Sequence, residues 1–115
     1  MSGNPELIDY TAFFEAEPKT LHPEVGWTCG AQFDSVRGEE RIIATVAPSE
    51  GTFSFKWWEK GLPRADLSLQ GVVEWVLECN PGSERLILKF HQRGIEYFII
   101  QLKPNISVSC VIQSA

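Results

Sequence analysis

From residue 25 onward, apolar and polar side chains alternate along most of the chain, and a period of two is the mark of strands. Across residues 25–33, Val25, Trp27, Cys29, Ala31 and Phe33 share one face, and Gly26, Thr28, Gly30 and Gln32 share the other. Residues 34–38 read as a turn, and 41–46 as a return strand with Ile42, Ala44 and Val46 inward. Pro48, Ser49, Glu50 and Gly51 form the next turn signal. Phe53, Phe55 and Trp57 then alternate with Ser54, Lys56 and Trp58, until Lys60, Gly61, Leu62 and Pro63 break the run.

Residues 69–79 fit two periods. Leu69, Val72, Val73, Val76 and Leu77 make a helical stripe with Ser68 as a cap, while Val73, Trp75, Leu77 and Cys79 alternate with Glu74 and Glu78. Gly71 would cost a helix interior about 1 kcal/mol relative to alanine. The turn signal Asn80, Pro81, Gly82, Ser83 is followed by renewed alternation over 85–91, with Leu86, Leu88 and Phe90 on one face. A hairpin accounts for both arms, so the segment is expected to be a strand. Residues 95–102 are apolar on both faces, as a central strand covered on two sides would be. Lys103, Pro104 and Asn105 turn the chain into a half-buried last strand carrying Ile106, Val108, Cys110 and Ile112. Near the N-terminus, Asn4, Pro5 and Glu6 resemble a helix start, so residues 5–16 are expected to be helical. The pattern therefore predicts a mainly β chain: an antiparallel β-sandwich or strongly curved sheet of six to seven strands, with at most one short N-terminal helix.

A length of 115 residues fits a single compact domain, residues 1–115. With 43% hydrophobic and 22% charged residues, the composition excludes a disordered chain. No apolar run approaches the roughly 20 residues of a membrane-spanning helix. Residues 1–17 hold four acids and no Lys or Arg, unlike a secretory or mitochondrial leader. A cytoplasmic location is expected.

The formal net charge is −5, which disfavours binding to nucleic acid or an anionic membrane. The charge is uneven. Residues 1–55 carry nine acids and three bases (−6), and residues 56–115 six acids and seven bases (+1). An acidic first half suits a basic protein partner, although it equally serves solubility.

Candidate chemistry is sparse. Cys29, Cys79 and Cys110 show no CxxC or CxxH spacing, so no metal site is expected, and each lies in an apolar stretch that predicts a buried, reduced thiol. Asn105-Ile106-Ser107 matches a glycosylation sequon by chance. The two histidines, His22 and His91, lie apart from any nucleophile motif, and Glu74 and Glu78 read as a solvated strand face opposite Arg85 and Lys89. No cofactor loop is present, and no catalytic residue is expected.

Trp57 and Trp58 must point to opposite faces of their strand. With Phe53, Phe55 and Trp57 inward, Trp58 lies outward as a candidate anchor, unless a loop or the segment with Phe13 and Phe14 covers it. Trp27 and Trp75 read as core. These features favour a small acidic protein-binding module that occludes a basic partner, in the manner of immunity proteins that neutralise nuclease toxins. Trp58 would anchor the partner while Glu15, Glu17, Glu24, Glu39 and Glu40 meet its basic rim. Two other readings stand beside it. A small-ligand or carbohydrate site would need two or more tryptophans to converge on one cavity. A subunit of a larger assembly would pair through an uncharged edge strand at residues 106–113. An enzyme using either histidine ranks last.

Overall fold

The structure is a computed structural model that describes residues 5–90 and 95–112. It is 62% strand, in two antiparallel sheets with one short helix. Strand pairing follows chain order throughout: β1-β2-β3-β4-β5 in one sheet and β6-β7-β8-β9 in the other. The chain folds as two compact units, Phe14–Gln70 on the one hand and Met1–Phe13 with Gly71–Ala115 on the other.

The Phe14–Gln70 unit holds β1 (Lys19–Thr20), a 3-10 turn at Trp27–Cys29, β2 (Ala31–Arg37), β3 (Glu40–Ala47), β4 (Thr52–Glu59) and β5 (Leu62–Leu69). Alternation sorts its strands cleanly. Ala31 and Phe33 on β2, Ile42, Ala44 and Val46 on β3, and Phe53 and Phe55 on β4 are all buried. Phe14 stacks on Phe33 with ring centroids 5.0 Å apart.

Two of its hairpins follow from glycine placement. Arg37 pairs with Glu40, leaving a two-residue turn in which Gly38 has φ 61°, as a type II′ turn requires at its first central position. Glu59 pairs with Leu62, and Lys60 (φ 52°) and Gly61 (φ 77°) both adopt the left-handed conformation of a type I′ turn.

Several expectations fail here. The strand foreseen at residues 25–33 starts only at Ala31, because Gly26 at φ 103° and the 3-10 turn bend the chain out of extended geometry. Trp27 is consequently half-exposed rather than core. The turn foreseen at residues 34–38 is extended strand to Arg37, and the break foreseen at 60–63 is a tight turn into β5. That strand tolerates Pro63 because it is an edge. Nine strands result among the described residues, against the six to seven expected.

The second unit holds most of α1 (Leu7–Phe14) and the strands β6 (Val72–Asn80), β7 (Ser83–Phe90), β8 (Ile95–Lys103) and β9 (Ser107–Ile112). The helix foreseen near the N-terminus forms over Leu7–Phe14, and the strand foreseen at 69–79 forms over Val72–Asn80, with Leu69 ending β5 instead. Tyr10 and Phe13 are buried, as are Trp75, Leu86, Leu88, Phe98 and Ile100. β8 is interior to its sheet, but only one of its faces is fully buried, since Tyr97, Ile99 and Gln101 are half-exposed.

The cysteines depart from the expected burial. Cys29 is half-buried, and Cys79 and Cys110 are exposed. Cys79 lies at the turn end of β6, and Cys110 lies on an edge strand. Partial desolvation, then the carboxylates of Glu84 and Asp9, push the Cys79 thiol up and keep it protonated.

Candidate functional site

The outward face of the β1–β5 sheet carries the residues that alternation keeps out of the core. Strand register lines four of them up across neighbouring strands: Val36 on β2 faces Arg41 on β3, which faces Trp58 on β4, which faces Pro63 on β5. A bulge at Trp57/Trp58 leaves Arg64 without a cross-strand partner, so Trp58 pairs with Pro63 while Trp57 pairs with Ala65. Val36 is 70% exposed and Trp58 half-exposed, so the row is an aromatic and aliphatic strip open to solvent.

A shallow recess of about 320 Å³ opens beside this strip, lined by Val36, Gly38, Glu39, Glu40, Arg41, Trp58 and Gly61. Its walls are the two tight turns. They are tied side by side by a hydrogen bond from the Lys60 backbone N–H to the Glu39 carbonyl, 2.8 Å long.

The floor of the strip is held by a relay of contacts. Arg41 donates twice to Asp34, Nε to Oδ1 at 3.0 Å and Nη2 to Oδ2 at 2.6 Å. The same guanidinium lies over the Trp58 ring, 5.8 Å from its centroid. Hydrogen bonding from Arg41 holds the Asp34 carboxyl below the usual carboxylate range, against a smaller opposing effect of burial. A carboxylate with a depressed folded pKa stabilises the native state above its unfolded pKa of about 4, and that stability is lost as pH falls through the folded value. Asp34→Asn should therefore flatten the acid limb of the stability curve while changing neutral-pH stability only slightly, because both side chains are about half exposed. Urea titrations at pH 3 and pH 7 check this, and an acid limb identical to wild type would count against the pair.

The acids that sequence reasoning placed on the partner surface fall into two sets. Glu39 and Glu40 line the recess with Trp58, whereas Glu15 is held by Arg37, which alternation places on the opposite, Phe33 face of β2. Glu15 pairs with Arg37 at 3.0 Å, Glu39 lies 3.8 Å from Lys60, and Glu40 accepts a 3.1 Å hydrogen bond from the Trp57 indole N–H. Glu59 adds a fourth acid, 3.6 Å from Arg64, whose guanidinium lies over Trp57. Paired charges therefore lace the turn end on both faces: Glu15 with Arg37 and Glu40 with Trp57 sit at core-side positions of their strands, and the apolar strip runs along the other face. Glu24 is elsewhere. It sits in the turn at residues 22–26 beside His22, at the Gly30 end of β2, roughly 20 Å of extended strand from the 38–39 turn. Glu17 is exposed on the segment between α1 and β1.

Sequence reasoning missed Val36, Arg41 and Pro63. Their signal was parity: with the turn moved from 34–38 to 38–39, Val36 and Arg41 fall outward opposite each other. The convergence of tryptophans that a ligand cavity would need is absent from the recess, where Trp58 is the lone tryptophan. A second recess of about 320 Å³, on the β6–β9 sheet, is lined by Val76, Glu78, Ile87, Lys89, Tyr97 and Ile99, with no tryptophan.

For the remaining chemistry, His22 Nδ1 is 3.9 Å from Glu24 Oε1 on an exposed loop, beyond hydrogen-bond reach, and His91 lies outside the described residues. Among the described residues no three His, Cys, Asp or Glu side chains are grouped to hold a metal, and no helix is long and apolar enough to cross a membrane.

No family model matches the chain, and no curated protein does. Its fold does match a solved structure, the contact-dependent growth inhibition toxin–immunity protein complex from Klebsiella pneumoniae 342. The TM-score is 0.78 over 96% of this chain and 96% of the matched chain, with 13% of residues identical. At that identity the likeness is one of fold, and this chain shares its architecture with a component of a toxin–immunity protein complex.

Proposed function

We propose that this chain is a protein-binding module of the immunity type, which holds a toxic protein in a complex and covers its working surface. The observation that carries this reading is the shared fold with a chain of a toxin–immunity protein complex. The open strip Val36–Arg41–Trp58–Pro63 supports it, since interface energy concentrates in aromatic and arginine anchors seated in recesses. Trp58 is the anchor, with Glu39 and Glu40 at its rim and Glu15, Glu17 and Glu24 contributing to the longer-range field. The net charge of −5 favours a basic partner, whose lysines and arginines would compete for acids already paired at the rim. Occlusion needs no catalytic group and no cofactor, and the complex would form in the cytoplasm, with neither nucleic acid nor membrane as partner.

The test begins with affinity capture from the producing cells and identification of the bound protein. That protein, expressed alone, is expected to arrest growth, and co-expression of this chain is expected to restore it. A captured protein that is harmless when expressed alone would sink the immunity reading. Full rescue by a variant carrying both Val36→Asp and Trp58→Ala would leave the role intact and remove the site.

A further inference from the structure

Of the four sheet edges among the described residues, three carry features that block pairing with another strand, and one does not. β1 is only two residues long and contains Lys19. β5 carries Pro63, which offers no N–H, and the unpaired bulge residue Arg64. β6 carries Glu74 and Glu78, which a self-pairing centred on Val76 would set against each other. β9 has no charge, no proline and no bulge of its own across Ser107–Ile112. It pairs with β8 on one side only, and five of its six residues are exposed, with Val111 at 41% and Ile112 at 70%. A strand of Val, Ser, Cys and Ile left in this state is an open template for another strand.

We infer that β9 pairs antiparallel with β9 of a second copy of this chain, about a two-fold axis perpendicular to the sheet. A strand paired with itself sets each residue against a residue of its own sequence, so the lone Lys19 of β1 and the acids of β6 would meet their like or lie at the seam uncompensated, while Pro63 blocks β5. β9 is the edge among the described residues that avoids both. The axis keeps every side chain on its own face, so facing residues are related by an even step, and two registers that satisfy this overlap the strand most fully. Centred on Cys110, Ser109 faces Val111 and Val108 faces Ile112. Centred on Ser109, Val108 faces Cys110 and Ser107 faces Val111. Either covers apolar surface that is open in the single chain, and both put only neutral residues at the seam.

The pairing goes beyond the proposed binding role and is independent of it, because β9 and the Trp58 strip lie on different sheets. Salt separates the two. Each copy carries −5, so added salt screens repulsion and tightens the dimer, whereas it weakens the grip of an acidic protein on a basic one.

Sedimentation velocity on the full chain, from low micromolar to near-millimolar concentration, is expected to show a rise from one to two copies that strengthens with salt. Val111→Lys, at an exposed position, should keep the chain monomeric with an unchanged unfolding midpoint. Facing backbones across an antiparallel seam lie about 4.5–5.5 Å apart from Cα to Cα, inside the disulfide range of about 4.4–6.8 Å. With Cys29 and Cys79 changed to serine, a mild oxidant should trap a covalent dimer either through Cys110 or, in Ser109→Cys with Cys110→Ser, through position 109. A monomer at every concentration would overturn the inference. So would a dimer that survives Val111→Lys and crosslinks in neither background.

Discussion

Phe33→Ala is expected to cost about 3–5 kcal/mol of folding stability, the range for deleting a fully buried phenylalanine. Phe33 has no exposed surface, and its ring stacks on Phe14 at 5.0 Å. Removing it forfeits the transfer energy of the ring and leaves a cavity that Ala44, its partner across the β2–β3 ladder, is too small to fill. Against a typical total of about 5–15 kcal/mol, the loss takes about a fifth of the stability or more. Urea unfolding followed by far-UV circular dichroism should show a much lower midpoint with the slope unchanged. A loss under about 1 kcal/mol would mean that Phe33 is not packed in the core. Val36→Ala, three residues along on the open face, should change stability by less than about 0.5 kcal/mol. The contrast between the two reads the alternation of β2 directly.

Trp58→Ala is the counterpart on the outer face. Once the partner is in hand, this change is expected to weaken binding by about 2 kcal/mol or more, some thirty-fold in Kd, mainly through faster dissociation. Folding stability should fall much less than for Phe33→Ala, because the indole is half-exposed and stacks under Arg41 on the same open face. Trp57→Ala provides the control. Its indole donates to Glu40 and lies under Arg64, so its loss should act on the hairpin end of the sheet rather than on an anchor. Titration calorimetry alongside thermal unfolding separates the two. Wild-type affinity for Trp58→Ala would remove the strip from the interface, and equal effects of both tryptophans on binding would point to the turn end as a whole.

Much of the architecture was legible because period-two alternation and turn chemistry agree. Residues 69–79, which fit a helical stripe almost as well, resolve into the end of β5 at Leu69, a break at Gly71 (φ 77°) and a strand from Val72 that runs to the Pro81–Gly82 turn. Alternation fails where backbone geometry, not side-chain polarity, decides. Val25, Trp27 and Cys29 alternate perfectly, yet Gly26 at φ 103° turns the chain before β2 begins. β5 was hidden by Pro63, which signals a break in a central strand but is harmless at an edge. At the candidate site, the opposed directions of Trp57 and Trp58 follow from the strand alone. Which acids lie together does not, because that depends on register. Glu39 and Glu40 reach Trp58 through a hairpin two residues long, while Glu24 is carried to the other end of the same sheet. The pairing of the turn-end acids with Arg37, Lys60 and Arg64 was beyond a count of charges along the chain.

The strictly sequential strand order has a consequence for how the molecule is made. Within each sheet every strand pairs with its immediate neighbours in the chain, so each ladder closes a short loop, and the entropy of closure stays low. Pairing this local places a β protein toward the fast end of its class in folding rate. The order also matters during translation. Every residue that builds the β1–β5 sheet, Trp58 and its neighbours included, has been synthesised by Leu69, before the first residue of β6 exists. The surface proposed to meet the partner thus leaves the ribosome ahead of the strand proposed to join two copies.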